Sequence, residues 1–280
     1  MTRAIICFAA ILFATTAVLA ADVPDSPFFA QDTALQSTDK LDLVKQLGYA
    51  GVSWKPAAPD VIEKLVKDLR ERDLKLFAIY ANATLTKSEL KLPPNLEADL
   101  PALKGTSAAI WLPIGSKDFA ASSADGDAVA VPALIALADL AAKYDLRVAI
   151  YPHKGNWTER IQDAIRLAEK VKRPNLGVTF NLCHCLMVGD EAKIPQLLEQ
   201  ARPHLFLVTI NGADANAAAT TWQRLIQPLD QGTYDVRIVL KKLKELKYDG
   251  PIGLQGYGVK LPPEENLKRS MAAWKAMAAK

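Results

Sequence analysis

From Phe28 to the C-terminus the chain repeats one pattern: a short run of apolar, β-branched or aromatic residues, then a longer stretch whose apolar residues recur every three or four positions. Strand-like runs are expected at Phe28–Asp32, Gly51–Trp54, Lys75–Tyr80, Ala108–Pro113, Arg147–Pro152, Gly177–Leu182, Leu205–Ile210 and Ile252–Gln255. Alternation of this kind predicts parallel strands with helices covering them. Eight such units in about 250 residues suit a closed barrel better than an open sheet. An open doubly wound sheet is the alternative, and the lack of a glycine-rich phosphate loop after any strand counts against it and against a nucleotide ligand. The expected fold class is therefore α/β, a single (β/α)8 TIM barrel spanning residues 25–280.

Helical stripes support this reading. Val61, Ile62, Leu65, Val66 and Leu69 share one helical face, and Ile161, Ala164, Ile165, Ala168 and Val171 another. Asn156 and Glu159 have capping-box spacing, Pro262 and Pro263 precede the last helix, and Val236, Val239, Leu240, Leu243 and Leu246 mark the helix before the final strand. Between Thr84 and Thr106 the helical pattern is interrupted by Pro93, Pro94 and Pro101.

Ahead of the barrel, Arg3 is followed by an apolar run from Ala4 to Leu19 and then Ala20, Ala21 and Asp22. A basic start, a short apolar core and small residues before a polar one form a secretory signal peptide over residues 1–20. The expected location is periplasmic or extracellular. Loss of Arg3 lowers the formal charge from +3 to +2, spread over interleaved Lys, Asp and Glu. Neither a nucleic-acid nor a membrane partner is expected from that balance, and the sequence leaves the oligomeric state open. Cys183 and Cys185 are the cysteines beyond the leader, and at that separation they bridge poorly.

In a barrel of this type the strand ends and the loops after them build the site. The polar and aromatic residues there are Asp32, Trp54, Tyr80, Asn82, Tyr151, His153, Asn156, Asn181, His184, Thr209, Asn211, Asp214, Gln255 and Tyr257. Amides, hydroxyls and aromatic faces suit a hydroxyl-rich carbohydrate ligand. His153 and His184 fall at adjacent strand ends, and histidine suits acid–base work near neutral pH. His204 precedes a strand at the other end and reads as structural. Alternation along a strand would point His184 away from Cys183 and Cys185, which argues against a shared metal and for buried, inert thiols. Two facing carboxylates are not offered for glycosidase chemistry. The stretch from Gly212 to Tyr234, which holds Trp222, Arg224, Gln227 and Asp230, is long enough to be a lid or binding loop.

Four segments resemble the xylose isomerase-like sugar phosphate isomerase/epimerase superfamily of TIM barrels: Tyr151-Pro152-His153, Thr179 to His184, Val208 to Asp214, and Gly253 to Tyr257. The resemblance implies a sugar-derived ligand and, usually, a divalent metal held by Glu, Asp, His and Glu on strands five to eight. Here the matching positions are Tyr151, Asn181, Thr209 and Gln255, all neutral side chains. No metal is therefore expected at those positions, and Mn, Mg, Co or Zn would need non-standard ligands such as His153, His184 and Asp214. The resemblance implies an isomerase, epimerase or lyase of a carbohydrate or keto-sugar; with the family's metal ligands altered, His153 and His184 are the expected acid and base. Asp32, Trp54, Tyr80, Tyr151, Asn181, Asn211, Asp214, Gln255 and Tyr257 would contact the substrate. A sugar-binding protein without turnover, and a metal-dependent enzyme with relocated ligands, are the alternatives.

Overall fold

The computed structural model describes residues 23–218 and 220–279, so the expected signal peptide lies outside the described residues. Eight parallel strands close into a barrel: β1 (Phe28–Ala30), β2 (Gly51–Trp54), β3 (Lys75–Tyr80), β4 (Ala109–Leu112), β5 (Arg147–Ile150), β6 (Leu176–Asn181), β7 (Leu205–Ile210) and β8 (Ile252–Leu254). Each strand pairs with its neighbours in sequence, and β1 closes on β8 with Phe28 opposite Ile252 and Ala30 opposite Leu254. No helix among the described residues is long and apolar enough to cross a membrane.

Helices pack their apolar stripes on the outside of the barrel. In Pro59–Glu71, Ile62, Leu65, Val66 and Leu69 are buried, whereas Val61, expected on the same stripe, is 47% exposed. Ile161–Val171 buries its whole expected stripe. Its start differs from the Asn156 and Glu159 reading: the Asp163 carboxylate accepts from the main-chain N–H of the N-cap residue Arg160 at 2.8 Å and of the preceding Glu159 at 3.0 Å, which satisfies the N-cap donor and ties the incoming chain to the helix. The proline-interrupted segment yields the short helix Leu96–Leu103, and Ala83–Leu85, Leu90–Lys91 and Ile114–Ser116 form a small side sheet.

The barrel interior is filled by aromatic rings in series. Phe77 stacks on Phe29 with ring centres 4.8 Å apart, Phe29 reaches Trp111 at 6.0 Å, and Trp111 reaches Tyr151 at 5.3 Å. Phe29, Trp111 and Tyr151 are fully buried, and rings of this size supply much of the apolar area a core removes from water. Room for Phe29 comes from Gly253, where a Cβ would collide with its ring.

Candidate active site

A cavity of about 380 Å³ opens at the C-terminal ends of the strands. Its lining includes Asp32, Tyr80, Asn82, His153, His184, Trp222, Gln255 and Tyr257, together with Gln31, Thr33, Lys55, Pro56 and Ile226. The structure therefore brings together Asp32, Tyr80, His153, His184, Gln255 and Tyr257 from the expected contact residues. The others sit elsewhere, each for a local reason.

Trp54 ends β2 but joins the core between sheet and helices, so the next residues, Lys55 and Pro56, reach the cavity in its place. Tyr151 and Asn181 lie buried beneath the cavity rather than on its wall, bonded to one another through Asn181 Nδ2 and the Tyr151 hydroxyl. Asn211 turns its amide into the following loop and donates to the carbonyls of Gly212 at 2.7 Å and Leu225 at 2.6 Å. Asp214 is held away by Arg224 at 2.9 Å and Gln227 at 3.1 Å, and these bonds lower its pKa below the usual carboxylate value. Asp214 is therefore not joined to His153 and His184 as a relocated metal ligand. Among the described residues no three His, Cys, Asp or Glu side chains gather as a metal site.

Asn211 and Asp214 instead shape the long loop. Gly212 and Gln227 form an antiparallel bridge, and the loop carries a short helix, Trp222–Leu225. The consequence is that Trp222 and Ile226 line the cavity, with the Trp222 ring edge-on to His184 at 5.1 Å.

His184 does not end a strand. Leu182–Met187 is a helix directly after β6, so the strand-alternation argument about Cys183 and Cys185 fails at this point. Both thiols are nonetheless buried, Cys183 donates to Asn181 Oδ1 at 3.1 Å, and burial pushes the Cys183 thiol up to about 12. It is a neutral donor, not a thiolate ligand.

The two histidine rings stand 4.1 Å apart between centres. The main chain of Lys154 separates their proton states. Its N–H donates to His184 Nδ1 at 3.2 Å, so that nitrogen carries no proton. Its carbonyl lies 2.9 Å from His153 Nδ1, which must then be the donor. Burial lowers the pKa of both rings, and for His184 the neighbouring His153 lowers it further, well below the usual histidine value. Two neutral imidazoles result, with opposite tautomers: His153 keeps Nε2 bare, and His184 keeps Nε2–H. Asp32 also has a raised pKa, chiefly from burial, with the Thr33 main chain and Lys55 pulling it back.

Of the four positions matched to metal ligands, Tyr151, Asn181 and Gln255 join a chain of neutral hydrogen bonds instead, while the buried Thr209 hydroxyl has no hydrogen-bond partner. Gln255 Oε1 accepts from Thr33 Oγ1 at 2.8 Å and from the N–H groups of Gly256 at 2.9 Å and Tyr257 at 3.0 Å. Gln255 Nε2 reaches the Tyr151 hydroxyl at 3.4 Å, and Tyr151 continues to Asn181 and so to Cys183. Burial raises the Tyr151 pKa well above that of a free phenol, so it stays protonated. The carbonyl oxygens of Gln255 and Asn181 already accept protein donors, and no member of the set is ionised. Such groups do not suit a divalent cation, which takes carboxylate and free carbonyl oxygens.

Residues 41–277 match the family model of the xylose isomerase-like TIM barrel, and the chain belongs to that family. Solved structures share the fold at low identity. The IolI protein with a bound zinc atom superposes with a TM-score of 0.72 and 16% identity, covering 90% of this chain and 98% of its own. The 3-keto-D-glucoside 4-epimerase of E. coli gives 0.68 and 16%, covering 89% and 98%. The D-allulose 3-epimerase of a Methylomonas species, in complex with D-allulose, gives 0.70 and 14%, covering 92% and 99%. No curated protein sequence matches the chain.

Lys55, Thr33 and Ile226 are cavity residues that the sequence reading missed. Thr33 lies in a turn of helix, Asp32–Leu35, that begins where the sequence reading ends its first strand, and Lys55 is one residue past an expected contact.

Proposed function

We propose that this chain is an exported isomerase, epimerase or lyase of an unphosphorylated carbohydrate or keto-sugar, working by proton transfer between carbon and oxygen through His153 and His184. The observation that carries this reading is the pair of neutral imidazoles with opposite tautomers, both set by Lys154. His153 Nε2 is the base: it removes the proton from the carbon beside a carbonyl, and the C–H electron pair becomes the new C=C bond. His184 Nε2–H holds the carbonyl oxygen as it gains negative charge, a role open to a neutral imidazole. Return of the proton from His153 to the neighbouring carbon, while the hydroxyl on the first carbon passes its proton to the oxyanion and becomes the new carbonyl, gives the isomer; return to the same carbon after the planar intermediate has turned its other face to His153 gives the epimer, and both restore the base. Loss of a β-oxygen substituent from the same intermediate, with the oxyanion pair reforming the C=O, the C=C pair shifting to the adjacent carbon and the departing oxygen taking the proton from His153, gives the lyase outcome.

The cavity volume lies within the range of small-ligand sites. Among its lining residues Lys55 is the basic side chain besides the histidines, and Asp32 sits beside it. One cation next to a carboxylate suits a neutral sugar better than a phosphate dianion. The leader over residues 1–20 supports export, and the sugars bound or transformed by the solved relatives support the substrate class.

Hydrogen exchange in deuterated water tests this. Ketoses and keto-glycosides incubated with the protein should lose a carbon-bound proton signal by NMR, with a rate insensitive to chelator. His153→Gln should slow exchange by about 10²–10⁴, and the rate should rise with pH through the lowered pKa of His153 and level off near neutrality. Saturable sugar binding without exchange would make the protein a sugar binder and sink the catalytic reading.

A further inference from the structure

The opposite mouth of the barrel holds a second cavity, of about 400 Å³. Lys75 at the start of β3, Arg147 at the start of β5 and Pro251 just before β8 line it, with Arg70 from the helix Pro59–Glu71. Leu69, Leu76 and Phe77 add an apolar wall, and no Asp or Glu is among its described lining residues.

Two of those cations are unusual in this protein. Arg72, Arg160, Arg166, Arg173, Arg224, Arg237 and Arg269 each bind an aspartate, and Arg202 binds the main-chain carbonyls of Leu246 and Lys247. Among the described residues, Arg70 and Arg147 are the arginines whose side chains make no ion pair or hydrogen bond with the chain, and both face this one cavity. Arg147 is half-buried, with its guanidinium 5.1 Å from the centre of the Phe206 ring. A partly desolvated cation with five donors and no acceptor costs free energy that a bound anion would recover.

We infer that the lower cavity binds a small organic carboxylate, anchored by Arg147 and steered by Arg70 and Lys75 at its rim. The guanidinium fork matches a carboxylate in two parallel hydrogen bonds. The wall of Leu69, Leu76 and Phe77 takes the hydrocarbon or aromatic body of the ligand, which a fully hydrated inorganic anion would leave wet. This site is separate from the histidine cavity and does not depend on the reaction assigned there.

Isothermal titration of the purified protein with 4-phenylbutyrate, and with its uncharged amide, tests the inference at low ionic strength. The carboxylate should bind saturably at one equivalent and the amide should not. Arg147→Leu should weaken binding by about tenfold or more, the worth of a charge-assisted hydrogen bond. A doubly substituted Arg70→Ala, Lys75→Ala protein leaves the half-buried position intact and should bind several-fold more weakly, so the test survives if Arg147→Leu does not fold. His184→Asn should bind as the unaltered protein does. Absence of saturable binding, equal binding of the amide, or binding that survives Arg147→Leu but is lost in His184→Asn would overturn the assignment.

Discussion

The two mouths of the barrel enclose cavities of similar size, about 380 and 400 Å³, with opposite chemistry. At the upper mouth, beside Lys55 and Asp32, neutral polar groups are tied to one another: Thr33, Gln255, Tyr151, Asn181 and Cys183 form one hydrogen-bonded chain, and Lys154 fixes both imidazoles. At the lower mouth the polar groups are charged and untied. The barrel supplies a place at each end, while strand-end residues decide whether that place is preorganised by internal bonds or left waiting for a counter-ion. Between them runs the aromatic series from Phe77, which lines the lower cavity, through Phe29, Trp111 and Tyr151 to His184 at 6.0 Å and then His153.

The most disruptive way to break this contrast is to remove its partition. Trp111 is fully buried midway along the series, and Trp111→Ala should cost about 3–5 kcal/mol of stability through lost burial and the void it leaves. Chemical denaturation reads that loss, and both cavities should lose affinity together. Trp111→Phe should cost far less, because the indole Nε1 is buried without a partner and the phenyl ring removes that unpaired donor. If the alanine protein is as stable as the original, the rings are not the partition.

A sharper cut separates the mouths. Tyr151→Phe deletes the hydroxyl to which Asn181 and Gln255 point their amide donors, and leaves both without an acceptor. The expected cost is about 1–3 kcal/mol, with a slower upper-site reaction. Carboxylate affinity at the lower cavity should stay within about twofold, since sites without shared partners behave nearly independently. Equal damage at both ends would mean that the interior transmits strain along the ring series.

Much of this contrast could be read from the sequence at the upper mouth and almost none of it at the lower. Strand positions are legible because apolar runs in a parallel barrel are buried on both faces, so the runs at Lys75–Tyr80 and Leu205–Ile210 match β3 and β7 to the residue. Strand ends are less so. Asp32 and His184 continue apolar runs in sequence yet lie in short helices, because the chain leaves the sheet wherever hydrogen-bonding neighbours stop, and one sequence does not record its neighbours. The same limit explains Trp54, whose side of the strand depends on a register shift between β2 and β3. Asp214 carries the polarity of a site residue, but its ion pair with Arg224 ten residues on is a matter of loop closure. The lower cavity was invisible because Arg70, Lys75 and Arg147 are ordinary surface cations until folding gathers them without a carboxylate.

The smallest effect, and the most specific to the upper mouth, is on the pH dependence of stability. In the folded chain the pKa of His184 is held well below its ordinary value by burial and by His153. In the unfolded chain it titrates near the usual value of about 6.5. As pH falls through that value the unfolded chain takes up a proton that the folded chain refuses, and the balance moves toward unfolding. Stability is therefore full above about 6.5 and declines on acidification until the folded ring is itself protonated, with a limiting slope of about 1.4 kcal/mol per pH unit for each such group. His153, shifted in the same direction, adds to the decline, and Asp32, whose pKa is raised, contributes with the opposite sign at lower pH. Comparing the original protein with His184→Gln isolates one ring: glutamine still offers Lys154 N–H an acceptor, while the unfolded chain loses one titrating site. Denaturant midpoints measured between about pH 5 and pH 7.5 should fall less steeply for the glutamine protein. Parallel curves would mean that His184 is protonated as readily in the folded chain as in the unfolded one. In that case Lys154 does not hold its Nδ1 bare, and the distinction between a base at His153 and a donor at His184 disappears with it.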